Sequence, residues 1–425
     1  MKNKNVLNQI LILLIFICFF SACNTFNEPN PIWVGSPNVP ADPVIASMDP
    51  PDSAVAGIQG REISIIGSNF STTPNSNYVY FQNQPAMVKS SSQNQIVVYR
   101  PTIYGDTLSV SVQIPLARGT ANLNKTYKIE RPVYPYPSYL MPAAAATLTF
   151  YSMEVDKDEN LYIGSKQVIY QIPPAADTVM TFKSLSREFL KFTDMKFGVD
   201  GYLYFLISKT NVYRTTAGSS PPETFVTLDY ATEKLDFDQN QNIYTGFKNG
   251  IYVIKSDRTV TASGLFAANF TIKDIRVYNG ELYVNAAYTG TDTTIAKAAV
   301  WKNSILDVNG TLSTPSQVVV DLSNYADPNI STCDINSFNI DKNGTIYLCL
   351  KKTGVTLSHY LYIVENDGSI VPFYQDEILP DRLDQLVWGN YEDAYLNRGV
   401  SVLGAVERVL RMKMGIEGAP YLGRE

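Results

Sequence analysis

Residues 153–164, MEVDKDENLYIG, contain a spacing of oxygen-bearing side chains that is typical of calcium loops. Asp156, Asp158 and Asn160 occupy alternate positions, as at the start of an EF-hand loop. Such a loop also needs glycine at its sixth position and a bidentate glutamate at its twelfth, where this chain has Leu161 and Gln167. A hairpin turn capped by its own side chains explains the stretch better, and calcium is kept only as an alternative.

Few other residues have types that could perform catalysis. His359 is the only histidine in 425 residues, so a Ser-His-Asp triad would depend on this one side chain. The count also excludes a metal centre built from several histidines, and no glycine-rich phosphate loop stands out. We therefore expect no enzyme and no cofactor.

The stretch at 153–164 recurs along the second half of the chain. A strand, a turn and a tyrosine-bearing strand follow one another six times, in MEVDKDENLYIG (153–164), MKFGVDGYLYFL (195–206), LDFDQNQNIYTG (235–246), IRVYNGELYVN (275–285), FNIDKNGTIYLC (338–349) and LVWGNYEDAYLN (386–397). The shared tyrosines, spaced by 42, 40, 39, 64 and 48 residues, are Tyr162, Tyr204, Tyr244, Tyr283, Tyr347 and Tyr395. A period near 40 is typical of propeller blades, so six repeats predict six blades.

Other segments are expected to complete these blades. A second aromatic residue marks a third strand in most repeats: Tyr170, Tyr213, Tyr252, Trp301 and Tyr362. The one long interval holds a polar insertion, residues 286–299, which we expect to form an extended hairpin or loop. Because an unpaired last blade would expose a sheet edge, the strand-like AATLTF (145–150) is expected to close the ring beside VERVLRMKM (406–414).

The repeat resembles that of NHL-type propellers, whose blades carry a D-x-x-G-N-hydrophobic-Y hairpin. The glycine of this pattern is often replaced here, as at Glu159 and Gln241. Propellers similar to gluconolactonase hold a calcium ion near the channel with acidic and amide side chains. Glu154, Asp236 and Asn339 therefore leave a calcium-dependent lactonase or lyase open as an alternative function.

Each innermost strand places one side chain between two apolar ones, and these side chains can turn toward the central channel. They are Glu154, Lys196, Asp236, Arg276, Asn339 and Val387. Two anions and two cations in one ring predict mutual ion pairs that plug the channel. The alternative is a polar floor for a ligand bound at the channel mouth.

The loop after each second strand tends to be basic. Cations three to five residues after the shared tyrosine are Lys166, Lys209, Lys248, Lys351 and Arg398. If these loops share one propeller face, they favour an acidic ligand such as a uronate or a sulfated glycan. The alternative is that they are ordinary solvated lysines.

Residues 43–131 differ in pattern from the repeats. Short alternating strands lie at 60–71, 78–81, 94–101 and 106–114, with turns between them, as in a small β-sandwich. The run from Gly60 to Phe70, together with Pro50, VYF at 79–81 and Pro85-Ala86, resembles an IPT/TIG domain. This likeness implies an immunoglobulin-like fold that serves as a spacer or interaction module.

The N-terminus predicts a lipid anchor. Lys2 and Lys4 precede the apolar run ILILLIFICFF (10–20), which is too short to span a membrane, and FSAC ends at Cys23. This pattern resembles a bacterial lipoprotein signal, in which Cys23 becomes the acylated first residue. An ordinary secretory signal is the alternative.

Charge and cysteine content limit the possible partners. Removal of residues 1–22 takes Lys2 and Lys4 from the 34 basic side chains, which leaves 32 against 40 acidic ones and a net charge of −8. Nucleic acid is therefore not expected as a partner. A hairpin closing through Asp341–Gly344 would place Cys349 opposite Asn336 and turn Cys333 to the other side of the sheet, so two buried thiols are expected instead of a disulfide.

Together these patterns predict an all-β protein, an Ig-like β-sandwich (IPT/TIG) followed by a six-bladed β-propeller. The predicted boundaries are 1–22 signal peptide, 23–42 tether, 43–131 IPT/TIG domain, 132–144 Pro/Tyr-rich linker and 145–425 propeller. The architecture resembles that of surface lipoproteins associated with glycan uptake in Gram-negative bacteria. The likeness implies a cell-surface, outer-membrane lipoprotein that binds a polysaccharide or oligosaccharide without cleaving it, with an outer-membrane transporter complex as a further partner.

Aromatic and basic residues are the candidates for the ligand site, because sugar rings stack on aromatic faces. They are Tyr151, Tyr288, Trp388, Lys166, Lys209, Lys248 and Arg398. A protein-interaction or adhesion scaffold is the second alternative function.

Overall fold

The computed structural model describes residues 39–136, 150–174, 178–186, 189, 191–207, 209–375, 378–379, 382–398 and 409–424. The predicted signal peptide, Cys23 and most of the tether lie outside the described residues. Most of the Pro/Tyr-rich linker and of the predicted strand at 145–150 lie outside them as well.

The first domain is a β-sandwich of short strands. They are β1 (Val44–Asp49), β2 (Ser53–Ala54), β3 (Glu62–Ser68), β4 (Tyr78–Phe81), β5 (Gln84–Ala86), β6 (Val88–Ser91), β7 (Gln95–Tyr99), β8 (Gly105–Leu108), β9 (Val110–Gln113), β10 (Ala121–Asn122) and β11 (Tyr127–Ile129). One sheet has the order β1-β3-β7-β6, a second β10-β9-β4-β5, and a small third sheet β2-β11-β8. The 3₁₀ turns Ile58–Gly60 and Pro74–Ser76 lie in the connections.

Alternation along the strands builds the sandwich core. Ile63 and Ile65 of β3, and Ile96 and Val98 of β7, are fully buried, whereas their sequence neighbours are at least partly exposed. A period of two places these side chains on the inner face of the sheet. The predicted Ig-like sandwich is confirmed.

The rest of the chain forms the blades. It begins with β12 (Val133–Pro135) and continues with blade 1, β13 (Ser152–Val155), β14 (Leu161–Ser165), β15 (Val168–Ile172) and β16 (Met180–Ser184). Blade 2 contains β17 (Asp194–Phe197), β18 (Leu203–Leu206), β19 (Asn211–Thr215) and β20 (Glu223–Thr227). Blade 3 contains β21 (Leu235–Phe237), β22 (Ile243–Phe247), β23 (Gly250–Ile254) and β24 (Val260–Gly264).

Blades 4 and 5 follow the same order. Blade 4 contains β25 (Phe270–Tyr278), β26 (Glu281–Tyr288), β27 (Ala298–Ser304) and β28 (Gln317–Asp321). Blade 5 contains β29 (Asp334–Ile340), β30 (Ile346–Lys351), β31 (Leu361–Val364) and β32 (Ile370–Pro372). The 3₁₀ turn Leu322–Asn324 and one helical turn, α1 (Pro328–Ser331), connect them. Within the part of the chain that the structure describes, none of the helices is long and apolar enough to cross a membrane.

The sixth blade closes the ring with a strand from the start of this half. It contains β33 (Gln385–Trp388), β34 (Asp393–Asn397) and β35 (Val409–Lys413), and β12 pairs with β35 as its outermost strand. Closure was predicted through residues 145–150 and is instead made by Val133–Pro135. The boundary between linker and propeller predicted at 144/145 is therefore wrong, because residues 133–135 already belong to a blade.

The described residues from 133 to 413 thus form six four-stranded antiparallel sheets, and the first strand of each blade contacts the first strands of its two neighbours. The all-β, six-bladed prediction is confirmed.

The insertion at 286–299 extends the hairpin of β26 and β27. Cys333 and Cys349 are both free and buried. Cys349 faces Ser337 and not Asn336, because the turn after Asp341 is one residue longer than predicted.

The sandwich is docked on blades 5 and 6 by polar contacts. The Arg61 guanidinium donates to the Phe373 carbonyl at 2.7 Å and pairs with Glu365 at 2.8 Å. The Gly57 N–H donates to the Tyr374 hydroxyl at 3.0 Å. Gly57 has a φ of 89°, and a Cβ there would lie 2.2 Å from the Met414 carbonyl oxygen, so this close approach requires glycine.

Candidate functional site

The first hairpin of a blade is held together by a carboxylate. Asp156 Oδ1 accepts hydrogen bonds from the Asp158 and Asn160 N–H groups, both at 2.9 Å. Asp156 Oδ2 accepts from Asn160 Nδ2 at 2.8 Å and from the Tyr162 hydroxyl at 2.9 Å. The side chain that opened the calcium-like pattern is therefore saturated by protein donors, and its role is to shape the turn.

The hydrogen bond from the hydroxyl of the repeat tyrosine to a carboxylate recurs in other blades. The hydroxyls of Tyr244 and Tyr347 donate to Asp238 and Asp341, each at 3.0 Å. In blade 2, where glycine occupies the leading position, the Tyr204 hydroxyl donates to Asp200 at 2.8 Å. Burial, together with the Asp200 carboxylate, raises the pKa of Tyr204 to about 12, so this hydroxyl stays a donor at neutral pH.

In blade 6 the carboxylate comes from the neighbouring blade. Glu159 of blade 1 accepts from the Tyr395 hydroxyl at 3.1 Å and from the Asn390 N–H at 2.6 Å. The acid that replaces the glycine of the repeat therefore joins the first blade to the last.

Among the described residues, no group of three or more His, Cys, Asp or Glu side chains is arranged to hold a metal ion.

The structure brings the predicted channel ring together. Lys196 Nζ lies 2.6 Å from Glu154 Oε2, and Arg276 Nη1 lies 2.6 Å from Asp236 Oδ2. Asn339 Nδ2 donates to the Leu386 carbonyl and, at 2.6 Å, to the Tyr421 hydroxyl. All five side chains are buried. The side chains that a calcium-dependent lactonase or lyase would use to hold its metal are Glu154, Asp236 and Asn339. In this structure they already form ion pairs or hydrogen bonds within the protein.

The C-terminal segment, residues 415–424, closes this end of the channel. The Tyr421 ring lies beneath three cations, with centroid distances of 3.7 Å to Arg276, 4.1 Å to Arg424 and 4.3 Å to Lys196. Arg424 is itself buried and pairs with Glu154. Burial opposes ionisation of Glu154, but the Arg424 and Lys196 charges outweigh burial and lower its pKa. The ring therefore faces a protein plug at this end.

The opposite end of the channel is open. A cavity of about 580 Å³ lies where the innermost strands begin, and every blade contributes to its wall. One polar lining residue from each blade in turn is Tyr151, Thr193, Lys234, Lys273, Asn336 and Asp384. Because all six blades meet only around the axis, this cavity is the mouth of the central channel. We call it the channel-mouth cavity.

Amide side chains fix the wall of this cavity by joining neighbouring blades. Asn285 Nδ2 donates to the Ile335 carbonyl and Asn336 Nδ2 to the Asp384 carbonyl, both at 2.6 Å. Across the closure, Gln385 Oε1 accepts from the Met153 N–H at 3.1 Å. These bonds hold the beginnings of the innermost strands in place, so the wall is largely pre-formed.

Lys234 projects from a buried base of carboxylates. Its Nζ lies 3.9 Å from Asp194 Oδ1, and its side chain is only 18% exposed. Burial would lower the pKa of Lys234, but the charges of Asp194 and Asp274 outweigh it and raise that pKa. Burial raises the pKa of Asp274 to about 6, and Lys234 opposes this rise. The ammonium group is therefore charged and positioned at neutral pH.

The predicted ligand residues fall into three groups. Tyr151 lines the channel-mouth cavity and is partly exposed. Lys166, Lys209 and Lys248 are exposed in the turns between second and third strands, outside the cavity wall. Antiparallel order brings these turns to the same face as the cavity.

Three of the predicted residues are buried, and this corrects two of the predicted stacking sites. Trp388 has no exposed surface, and its Nε1 donates to the Ile416 carbonyl at 3.0 Å, so it packs on the C-terminal segment. Tyr288 is 9% exposed and packs against the Phe270 ring. Neither ring has a face open for a sugar. Arg398 is also buried, at the end of β34.

Three cations of the cavity wall were missed, whereas a fourth, Lys351, is one of the predicted basic residues after the shared tyrosine. Lys191, Lys234 and Lys273 lie just before or within the start of the innermost strands of blades 2, 3 and 4, and Lys351 ends β30. The sequence contains a signal for these three lysines. In three consecutive repeats, a basic residue stands two to five positions before the residue that belongs to the channel ring. The exposed cations after the shared tyrosine, Lys166, Lys209 and Lys248, lie on the same face but outside the cavity wall, and Lys351 is the one predicted cation that lines it.

Comparisons with known proteins agree with this architecture. Residues 43–129 match the family described as the IPT/TIG domain, and a comparison with the curated proteins gave no match. A candidate phosphatase from Bacteroides thetaiotaomicron has a similar solved structure, with a TM-score of 0.51 and 12% identity over 88% of this chain and 97% of that chain. At this identity the likeness concerns the fold alone.

Two further structures belong to auxiliary nutrient binding proteins. The one from Bacteroides thetaiotaomicron has a TM-score of 0.49 and 11% identity over 89% of this chain and 98% of that chain. The one from Bacteroides ovatus has a TM-score of 0.47 and 12% identity over 87% and 97% of the two chains. Fold and site together define an all-β protein with an IPT/TIG domain and a six-bladed propeller open at one channel mouth.

Proposed function

We propose that this protein binds an oligosaccharide, or one end of a polysaccharide, in the channel-mouth cavity and does not cleave it. The observation that carries the proposal is the cavity itself, an axial opening of about 580 Å³ with polar groups from every blade. This volume is in the range of small-molecule sites. Asn336, Asp384 and Lys234 offer donors and acceptors for hydroxyl groups, and Tyr151 offers a partly exposed ring for stacking.

The remaining parts of the proposal concern location and partners. We propose that Cys23 carries a lipid, that the protein faces outward from the outer membrane of a Gram-negative bacterium, and that the sandwich holds the propeller away from the membrane. An outer-membrane transporter complex is the proposed recipient of the glycan. The proposed role needs no cofactor and no nucleic acid.

A glycan array tests the binding role. The soluble fragment 24–425 is applied with and without calcium, and the Tyr151→Ala variant is applied beside it. We expect retention of at least one class of saccharide by the unaltered fragment, independent of calcium, and a loss of about tenfold or more in affinity for the variant. Tyr391→Ala is the matched control, because Tyr391 is 68% exposed in a hairpin turn at the plugged end.

Three results would each speak against the proposal. Absence of retained saccharide in both conditions contradicts glycan binding, and a signal that requires calcium favours the lactonase or lyase alternative. Equal loss of affinity in Tyr151→Ala and Tyr391→Ala would place the ligand outside the channel-mouth cavity.

A further inference from the structure

The charged side chains of the channel-mouth cavity are divided between two sides. Lys191, Lys234 and Lys273 come from blades 2, 3 and 4, whereas Asp334 and Asp384 come from blades 5 and 6. Consecutive blades are neighbours in the ring, so three ammonium groups share one arc of the wall. We call Lys191, Lys234 and Lys273 the lysine arc. Two lining residues depart from this division, because the exposed Glu233 lies on the lysine side and Lys351 of blade 5 lies on the carboxylate side.

One carboxylate of the other side, Asp384, is paired with a cation, whereas two of the three lysines are not paired with any described carboxylate. Arg382 Nε lies 3.0 Å from Asp384 Oδ1, and Asp334 is the register partner of Lys351. Within the described residues, by contrast, Lys191 and Lys273 form no ion pair at 4.0 Å or less, and Lys234 reaches Asp194 only at 3.9 Å. Lys191 and Lys273 therefore carry positive charge that no described side chain pairs with, whereas the charge of Lys234 is balanced in part by Asp194 and Asp274 at its base.

A buried hydroxyl beside the arc also lacks a protein partner. Thr193 lines the cavity between Lys191 and the strand start of blade 2, and its Oγ1 makes no hydrogen bond with any described residue. A buried polar atom without a partner costs free energy unless a ligand or water satisfies it. The wall of a concave site also concentrates the field of its charges.

We propose that the lysine arc binds the anionic group of an acidic saccharide, a carboxylate or a sulfate, inside the channel-mouth cavity. Lys234 is the innermost of the three cations, and the more exposed Lys191 and Lys273 flank it. The hydroxyl groups of the same saccharide reach Asn336 and Asp384 on the opposite side. This inference rests on the proposed function and names the class of its ligand.

The test uses the full chain, solubilised in detergent, against three matched sets of oligosaccharides: neutral, uronate-containing and sulfated. Each uronate probe has a carboxyl-reduced counterpart, and each sulfated probe a desulfated one. We expect the acidic member of a pair to bind at least tenfold more tightly than its neutral counterpart, and the advantage to shrink as salt is raised. The set that shows this preference distinguishes carboxylate from sulfate.

Substitutions then locate the charge. Lys191→Gln and Lys273→Gln are each expected to weaken binding of the acidic probe about three- to tenfold, and Lys273→Arg to retain most of it. Lys166→Gln and Lys209→Gln are matched controls, since they remove the same charge from the same face outside the cavity. Urea unfolding of each variant shows whether the fold is intact.

The outcomes separate the two proposals. If only neutral saccharides bind, or if acidic and neutral partners bind equally, the lysine-arc inference is overturned while the glycan-binding function stands. If no saccharide of any set binds, both are overturned. Equal losses in the cavity and control variants would show general attraction to the face, and this result also overturns the arc.

Discussion

At the scale of residues, the most conspicuous acids of the sequence are structural. Asp156, Asp238 and Asp341 each accept the hydroxyl of a repeat tyrosine and the N–H groups of their own turn. A metal ion at such a site would have to displace several protein donors. The residues that remain for binding are less conspicuous, namely single lysines and amides at the starts of the innermost strands.

Asp274 gives a prediction about pH. Its pKa is raised by burial from 3.8 to about 6, against the opposing charge of Lys234 and with support from Asp194. A carboxyl whose pKa is raised in the folded state favours folding when it is protonated. Its ionisation therefore costs the folded state up to about 3 kcal/mol, a cost that is absent below pH 4 and complete above pH 6.

The variant Asp274→Asn, which resembles the protonated form, removes this cost. We expect the free energy of unfolding of the variant, relative to the unaltered protein, to increase by about 2–3 kcal/mol between pH 4 and pH 7. The asparagine and the protonated carboxyl each keep one carbonyl oxygen to accept from Ile275 or Phe338, so the two proteins have matching acceptors at pH 4. Urea titrations at four pH values measure the trend, with exposed Asp158→Asn as the control. A difference that stays constant from pH 4 to pH 7 would contradict the assignment.

At the scale of elements, the first strand after the sandwich and the C-terminal segment complete the propeller. The strand β12 lies outermost in the last blade, and the C-terminal segment fills one channel end. Both are short and carry no repeat pattern, so periodicity did not reveal them. The contacts of the C-terminal segment explain why the inner ring of charges can be buried, because Arg424 and Tyr421 supply the partners that the strands alone lack.

Removal of the buried Arg424 side chain is expected to lower the free energy of unfolding strongly. Arg424→Ala leaves the fully buried Glu154 with Lys196 as its remaining cation, and we expect a loss of about 3 kcal/mol in the free energy of unfolding. Adding Glu154→Gln should restore part of this loss, because the uncompensated charge disappears. Arg258→Ala is the control, since the Arg258–Glu223 pair is nearly half exposed on both sides and is worth less than about 1 kcal/mol.

Chemical denaturation of the two single variants and the double variant measures these differences. The plug interpretation fails if Arg424→Ala costs no more than Arg258→Ala.

At the scale of the whole molecule, the sandwich and the propeller are joined by polar contacts, buried between Gly57 and Tyr374 and partly buried at Arg61. The chain leaves the sandwich at β11 and enters the last blade only four residues later, at β12. The ring therefore closes next to the domain junction. This arrangement gives the sandwich a fixed orientation on blades 5 and 6.

The position of β12 predicts where the propeller can be separated. A fragment that starts at residue 131 retains the outermost strand of blade 6, whereas one that starts at 145 leaves β35 as an open edge. The shorter fragment also loses Tyr136, which is buried against Tyr395. We expect its Tm to be lower by about 5–10 °C and its tendency to self-associate to be greater.

Differential scanning calorimetry and size-exclusion chromatography compare the two fragments, which both lack the sandwich and so differ only in residues 131–144. Equal melting temperatures would show that β12 contributes nothing to closure.

The repeat of tyrosine and turn residues determined the number of blades, because each hairpin is stabilised by neighbours within about ten residues. Tyr162 and Asp156 are six residues apart, and such local bonds leave a pattern in the sequence. The aromatic residues of the third strands, from Tyr170 to Tyr362, were predicted in the same way. The alternating strands of residues 43–131 likewise determined the sandwich.

Only the tertiary structure decided how the ring closes, which end of the channel is open and which lysines surround the opening. The bond between Glu154 and Arg424 joins residues 270 positions apart, and Val133 pairs with Met412 across nearly the whole propeller. Such contacts form because closing the ring brings distant segments together, and no local spacing records them. The channel-mouth cavity is likewise built from one or a few residues of each blade, which become neighbours only once all six blades are in place.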